Sequence, residues 1–193
     1  MLSSCDVTAL ILAGGQGSRL GGQDKGLVQF QQKPLIEHVL ERIQPQLSSI
    51  IINANRNMLL YGDYGYPVIS DQFEGYQGPL AGIESGLEAV ATDYLLTLPC
   101  DGPFLPADLL ERMLSIKNNS QAALTVAHDG LRMQSAYALI PVAALADLRE
   151  YLHAGNRKLG RWLQAQGLAL VDFSDQSKAF ANINTESQKS KWE

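Results

Sequence analysis

Six glycines and two cations crowd one thirteen-residue stretch at positions 14–26, Gly14-Gly15-Gln16-Gly17-Ser18-Arg19-Leu20-Gly21-Gly22-Gln23-Asp24-Lys25-Gly26. Glycine lets backbone N–H groups approach and wrap a phosphate without steric conflict. Arg19 adds a planar fork for phosphate oxygens, and Lys25 a compact point charge. The chemistry this suits is binding of a polyphosphate. Neither of the two common nucleotide motifs accounts for it. A dinucleotide fingerprint starting at Gly15 and Gly17 needs a third glycine where Leu20 stands, and a P-loop needs Gly before its lysine and Ser or Thr after it, where Asp24 and Gly26 stand.

Three more polar turns follow short apolar runs. Asn53-Ala54-Asn55-Arg56 follows 50–52, Ser70-Asp71 follows 67–69, and Pro99-Cys100-Asp101 follows 94–98. A carboxylate at Asp101 suits Mg²⁺, which takes oxygen ligands and bridges carboxylates to substrate phosphates. The plain alternative is a helix cap or a loop-ordering carboxylate. Asp71 is a second candidate for the metal, or for a ribose or a base.

These turns meet only if the fold brings them together. Of the runs at 7–12, 50–52, 67–69 and 94–98, three are nearly continuous in apolar character, as strands buried on both faces are. Between the first two, Leu35, Ile36, Val39, Leu40, Ile43 and Leu47 repeat at helical spacing, with Pro34 at the first helical position; between the last two, Leu80, Ile83, Leu87 and Val90 do the same behind Pro79. A weaker helical segment follows Asn55. Alternating strand and helix predicts an α/β fold, a mostly parallel sheet flanked by helices on both faces. The turns after parallel strands gather along one edge, where open α/β sheets bind ligands. The second half predicts strands at 122–127, 135–140 and 168–173, with helices near 106–114, 142–152 and 159–163.

Composition narrows the function classes. The chain has 193 residues and fits one domain, 1–193, with no repeat or linker. Its net charge of −5 argues against a broad nucleic-acid footprint. No apolar stretch approaches the roughly 18 residues of a membrane span. Two distant cysteines, Cys5 and Cys100, make neither a disulfide framework nor a Cys-x-x-Cys metal site, so a cytoplasmic location is expected. The lead-in Leu2-Ser3-Ser4-Cys5 reads as disordered. His38, His128 and His153 lack metal-ligand spacing. Cys100 reads as a small buried hydrophobe rather than a catalytic thiol, Trp162 as core, and Arg157, Lys158 and Arg161 as a solvated helix face.

The combined pattern resembles a known family. Leu12-Ala13-Gly14-Gly15-x-x-x-Arg19-Leu20-Gly21-Gly22-x-Asp24-Lys25-Gly26 is similar to the opening of the molybdenum cofactor guanylyltransferases. Lys33-Pro34-Leu35, Asn53-Ala54-Asn55-Arg56, Gly78-Pro79-Leu80-Ala81-Gly82, Pro99-Cys100-Asp101 and Asn182-Ile183-Asn184-Thr185 resemble later segments of that family in the same order. The resemblance implies a Rossmann-like nucleotidyltransferase fold, with a nucleotide-binding N-terminal half and an acceptor-binding C-terminal half. It implies transfer of GMP from GTP to the phosphate of molybdopterin, with release of pyrophosphate. Arg19, Lys25 and Asp101 are the expected catalytic groups, with Mg²⁺ on Asp101. Leu12, Ala13, Gly14, Gly15, Lys25, Asn53, Asp71 and Asp101 are the expected GTP contacts. Pro79 and Gly82 are expected near the guanine, and Asn182 and Asn184 at the molybdopterin end. Transient contacts with cofactor-supplying and cofactor-accepting proteins are implied, and no nucleic acid or membrane. The rivals are a cytidylyl- or sugar-phosphate nucleotidyltransferase on the same fold, and a non-catalytic cofactor carrier. The failed fingerprint disfavours a dinucleotide-dependent oxidoreductase.

Overall fold

The computed structural model describes residues 1–15, 24–73, 77–183, 188 and 192. In chain order the strands are β1 (Val7–Leu12), β2 (Gln29–Phe30), β3 (Lys33–Pro34), β4 (Ile50–Asn53), β5 (Val68–Ile69), β6 (Tyr94–Pro99), β7 (Leu124–His128), β8 (Met133–Pro141) and β9 (Leu168–Asp172). The α-helices are α1 (Leu35–Ile43), α2 (Met58–Gly62), α3 (Pro79–Ala89), α4 (Leu109–Asn118), α5 (Leu145–His153) and α6 (Leu159–Ala165).

Seven strands form one sheet in the order β5-β4-β1-β6-β8-β7-β9, and β2 and β3 pair separately as a short hairpin. β5, β4, β1 and β6 run parallel, and β9 runs parallel to β7. β8 is antiparallel to both of its neighbours. From β1 the chain steps outward to β4 and β5, then returns to place β6 on the other side of β1. That reversal opens a crevice between β1 and β6 beyond their carboxyl ends, the place where open α/β sheets receive ligands.

Alternation along each buried strand divides the core into two layers. Val7, Ala9 and Ile11 of β1 join one layer with α1 and α4, while Leu10 joins the other with α3, α5 and α6. β4 and β6 split the same way: Ile50, Ile52, Leu96 and Leu98 on the first face, Ile51 and Leu95 on the second. Period-two burial on both faces of a central sheet is what makes the strands read as continuous apolar runs. Trp162 is fully buried in the second layer and its indole nitrogen donates to Asp147 Oδ1 at 2.7 Å.

Several expectations need correction. Pro34 does not open α1. It ends β3 in extended backbone and immediately precedes the helix, because the β2–β3 hairpin occupies the approach. Pro79 is the first residue of α3, as its spacing predicts. The turn at 142–144 is a 3-10 segment, and α5 begins at Leu145. The lead-in is ordered: Leu2 exchanges two backbone hydrogen bonds with the Asn118 side chain at 2.8 and 3.0 Å, and Asp6 Oδ2 accepts from the Ser3 amide at 2.8 Å.

One buried charge joins α3 to α5. Glu84 lies in the apolar face of α3 at 1 % exposure, and Arg149 Nε donates to its Oε1 at 2.6 Å. Arg149 also reaches Glu88. Removing the cation strands a carboxylate that cannot be solvated where it sits. Arg149→Met is expected to destabilise the fold by about 3 kcal/mol. Its thermal midpoint falls by roughly 6 to 12 °C, a shift that calorimetry reads directly. A midpoint within about 2 °C of the unaltered protein would show that water reaches Glu84.

Candidate active site

The four polar turns do meet. Across the crevice, Lys25 Nζ lies 3.1 Å from Asp101 Oδ2, although 76 residues separate them. Register explains why. Leu12 is opposite Asn53 on one side and Pro99 on the other, so the turns leaving β1, β4 and β6 start at the same height. Asp101 is buried at 6 % exposure, and its backbone carbonyl accepts the Ile183 amide at 2.9 Å. That bond brings Asn182 beside the β6 turn. Asn182 Oδ1 is buried and has no hydrogen-bond partner among the described residues.

The second cluster centres on Asp71. Asn53 Nδ2 donates to its Oδ1 at 2.9 Å and Asn55 Nδ2 to its Oδ2 at 2.8 Å. Asn55 Oδ1 in return accepts the Asp71 amide at 2.9 Å, and Asn55 Nδ2 also reaches the Gly14 carbonyl at 3.3 Å. Asp71 is thereby fixed to the β1 and β4 turns with both carboxylate oxygens accepting hydrogen bonds. Gly82, in the first turn of α3, packs on this cluster. A Cβ there would sit 2.3 Å from Asn53 Oδ1 and 3.0 Å from Leu12 Cδ2, so only glycine allows the helix to approach. α3 runs back from the ligand edge, which puts its N-terminus, Pro79 and Gly82 there, an end that carries unpaired N–H groups and favours anions.

Leu12, Ala13, Gly14 and Gly15 lead out of β1 between these two clusters. The Ala13 amide donates to the Asn53 carbonyl at 2.8 Å and the Cys100 amide to the Leu12 carbonyl at 3.2 Å. Arg19 and Asn184 lie outside the described residues. Cys100 is buried, and burial, reinforced by the charges of Asp101 and Asp24, pushes its thiol well above the ordinary range. A neutral buried thiol is a packing group, as its sequence setting predicts. Arg157 is not simply solvated: its guanidinium contacts Gln77 Oε1 and donates to the carbonyls of Leu152 and Asn156 at 2.8 and 2.6 Å.

Sequence reasoning missed several supporting groups. Asp24 is buried at 7 % exposure, and its carboxylate accepts from Tyr61 and Asn57. Arg56 reaches both Asp24 and the Gly15 carbonyl. The Tyr137 hydroxyl is buried without a partner among the described residues, against Gly102. Asp24 and Arg56 fall inside motifs of the family resemblance without a role of their own there, and Asn57, Tyr61 and Tyr137 carry no spacing signal, because each acts through a contact distant in sequence.

This geometry has relatives. A family model for the MobA-like NTP transferase domain matches residues 9–170. The molybdenum cofactor guanylyltransferase of Shewanella sediminis is 48 % identical over 186 residues, covering 96 % of this chain and 95 % of that protein. The chain belongs to the molybdenum cofactor guanylyltransferase family. It is a nucleotidyltransferase by that membership. The fold extends further than the family. The crystal structure of molybdopterin-guanine dinucleotide biosynthesis protein A from Archaeoglobus fulgidus superposes with a TM-score of 0.79 at 23 % identity, covering 95 % of each chain. A CMP:2-keto-3-deoxy-manno-octonic acid synthetase complexed with CTP superposes with a TM-score of 0.72 at 13 % identity, covering 96 % of each chain. At these identities the two superpositions show a shared fold alone. No helix among the described residues is long and apolar enough to cross a membrane.

Proposed function

We propose that this protein transfers GMP from GTP to the phosphate of molybdopterin, releasing pyrophosphate and forming the guanine dinucleotide form of the cofactor. The observation that carries the reading is the Lys25–Asp101 pair at 3.1 Å in the crevice between β1 and β6. A cation and a carboxylate at that point meet the needs of phosphoryl transfer, which asks for positioning and charge stabilisation more than for covalent chemistry. The acceptor phosphate is already an anion, so no general base and no protein nucleophile are required. It attacks the α-phosphorus, and Lys25 and Arg19 stabilise charge on the departing pyrophosphate.

Leu12, Ala13, Gly14 and Gly15 carry the nucleotide across the end of β1, with Asn53 and Asp71 contacting it from one side and Asp101 from the other. Pro79 and Gly82 place the α3 N-terminus by the guanine. The N-terminal half thus binds the nucleotide within a single domain, and Asn182 and Asn184 of the C-terminal half serve the acceptor. The unpartnered Asn182 Oδ1 supports that assignment as an acceptor left for a ligand.

Mg²⁺ fits the donor set. Among the described residues, no three His, Cys, Asp or Glu side chains group as a metal cage. Mg²⁺ at nucleotide sites needs only one or two carboxylates, with phosphate oxygens and water completing its shell. Asp101 would hold it, and the ion would supply charge neutralisation to the phosphates. A cytoplasmic setting, transient contacts with proteins that supply and receive the cofactor, and no nucleic-acid partner complete the reading.

The test is pyrophosphate release with molybdenum-loaded molybdopterin, Mg²⁺ and each of GTP, CTP, ATP and UTP in turn. Release with GTP alone is the expected result. Release with CTP overturns the base assignment, and nucleotide binding without release favours a carrier.

A further inference from the structure

Lys25 cannot hold its own position. It is a flexible four-carbon chain on a glycine-rich loop, and such chains reach a fixed geometry only when the backbone beneath them is fixed. The backbone on both sides of Lys25 rests on one residue of a different element. On one side, the Tyr61 hydroxyl donates to Asp24 Oδ1 at 2.5 Å. On the other, Gly26 approaches that same hydroxyl so closely that a Cβ would lie 2.5 Å from it. Tyr61 is fully buried and belongs to the same core layer as β1 and α1.

Asp24 is the receiving half of this arrangement. Its Oδ2 accepts Asn57 Nδ2 at 3.0 Å and pairs with Arg56 Nε at 3.7 Å. Asn57 caps α2 from a left-handed backbone conformation, at φ 52°, so the residues that hold Asp24 come from one short segment after β4. The Asp24 carbonyl then accepts the Leu27 amide at 3.1 Å, closing the 3-10 turn that starts at Lys25. Burial, with Cys100 and Asp24 adding to it, pushes the Tyr61 phenol upward in pKa, so it stays protonated and remains a donor.

We infer that Tyr61 is a positioning residue for Lys25: its hydroxyl, through Asp24 and against Gly26, fixes the turn that aims the Lys25 ammonium into the crevice beside Asp101. The inference rests on guanylyl transfer as proposed above, in which Lys25 acts on the phosphates. Tyr61 touches no substrate in this scheme and acts only through the turn.

Tyr61→Phe keeps the buried ring and removes the hydroxyl. Its kcat for GTP-dependent pyrophosphate release is expected to fall roughly tenfold, with KM for GTP within about threefold of the unaltered protein, since the loss concerns transition-state charge. A loss of general fold quality would multiply with any other lesion. A loss of Lys25 positioning cannot, so Tyr61→Phe added to Lys25→Ala is expected to lower the residual rate no further. If Tyr61→Phe yields no folded protein, Asp24→Ala cuts the same bond from the other end and is read in the same two backgrounds. An unchanged kcat, or an equal fold-loss with and without Lys25, overturns the inference. Absence of GTP-dependent release by the unaltered protein overturns the guanylyl-transfer reading instead.

Discussion

Asp101→Asn is expected to abolish turnover almost completely while leaving the fold nearly as stable as before. Asp101 is the carboxylate that meets the Lys25 ammonium at 3.1 Å and the residue that would carry Mg²⁺. Replacing it by the isosteric amide removes a full negative charge from the point where cations must be held against phosphates. The loss of one preorganised electrostatic contact lowers rates by roughly 100- to 1,000-fold, and two such functions converge here, so the decrease in kcat is at least about 1,000-fold. Stability follows a different account. The Lys25 side chain retains 26 % exposure and can be solvated when its partner is neutral. The Asp101 charge also opposes ionisation of two buried neighbours, Cys100 and Tyr137. The amide therefore strands no charge, and the change in folding free energy stays within about 1 kcal/mol. Pyrophosphate release and thermal unfolding, measured on the same preparation, check both halves. Turnover within tenfold of the unaltered protein removes Asp101 from the mechanism, and loss of the folded state shows its role to be structural.

The sequence shows the frame better than the supports. β1, β4 and β6 are legible because a strand buried on both faces has almost no choice of residue, and α1 and α3 because their apolar positions repeat at 3.6. The candidate site is legible at the ends of those strands for the same reason: Asn53 ends β4, Asp101 lies just beyond β6, and parallel order brings both to one edge of the sheet. β8 is different. Its apolar pattern is the same whether it runs with or against β6, so its antiparallel direction has no sequence signature. The β2–β3 hairpin has two residues in each strand and turns through Gln31 and Gln32 at positive φ, where turn chemistry favours Gly or Asn. Glu84 breaks the apolar face of α3 because its partner Arg149 arrives from a helix 65 residues away. Tyr61 and Asp24 are 37 residues apart, and nothing in either segment announces the other. What sequence spacing reports is local period and order; a buried hydrogen bond between distant turns is a property of the closed fold.

Lys25→Ala tests the other half of the charged pair, and its consequences are expected to differ in kind from those of Asp101→Asn. Charge develops on the pyrophosphate as it leaves, and Lys25 is the described cation that already points into the crevice. Its removal is expected to lower kcat by at least about 100-fold, the scale of one preorganised contact made in the transition state. The stability cost is now larger, because the group left behind is Asp101, whose side chain is only 9 % exposed. A buried carboxylate without its cation is disfavoured in its charged form. The variant therefore loses roughly 1 to 2 kcal/mol of folding free energy, where Asp101→Asn loses little. Lys25→Arg is not a remedy. The guanidinium is planar and broader than an ammonium, and the turn beneath it is held by the Tyr61 hydroxyl, which donates to Asp24 and packs against Gly26. Single-turnover pyrophosphate release on Lys25→Ala and Lys25→Arg, with unfolding measured beside it, separates these effects. Lys25→Arg at the unaltered rate shows that the position asks only for positive charge. Lys25→Ala within tenfold assigns the charge stabilisation to another residue.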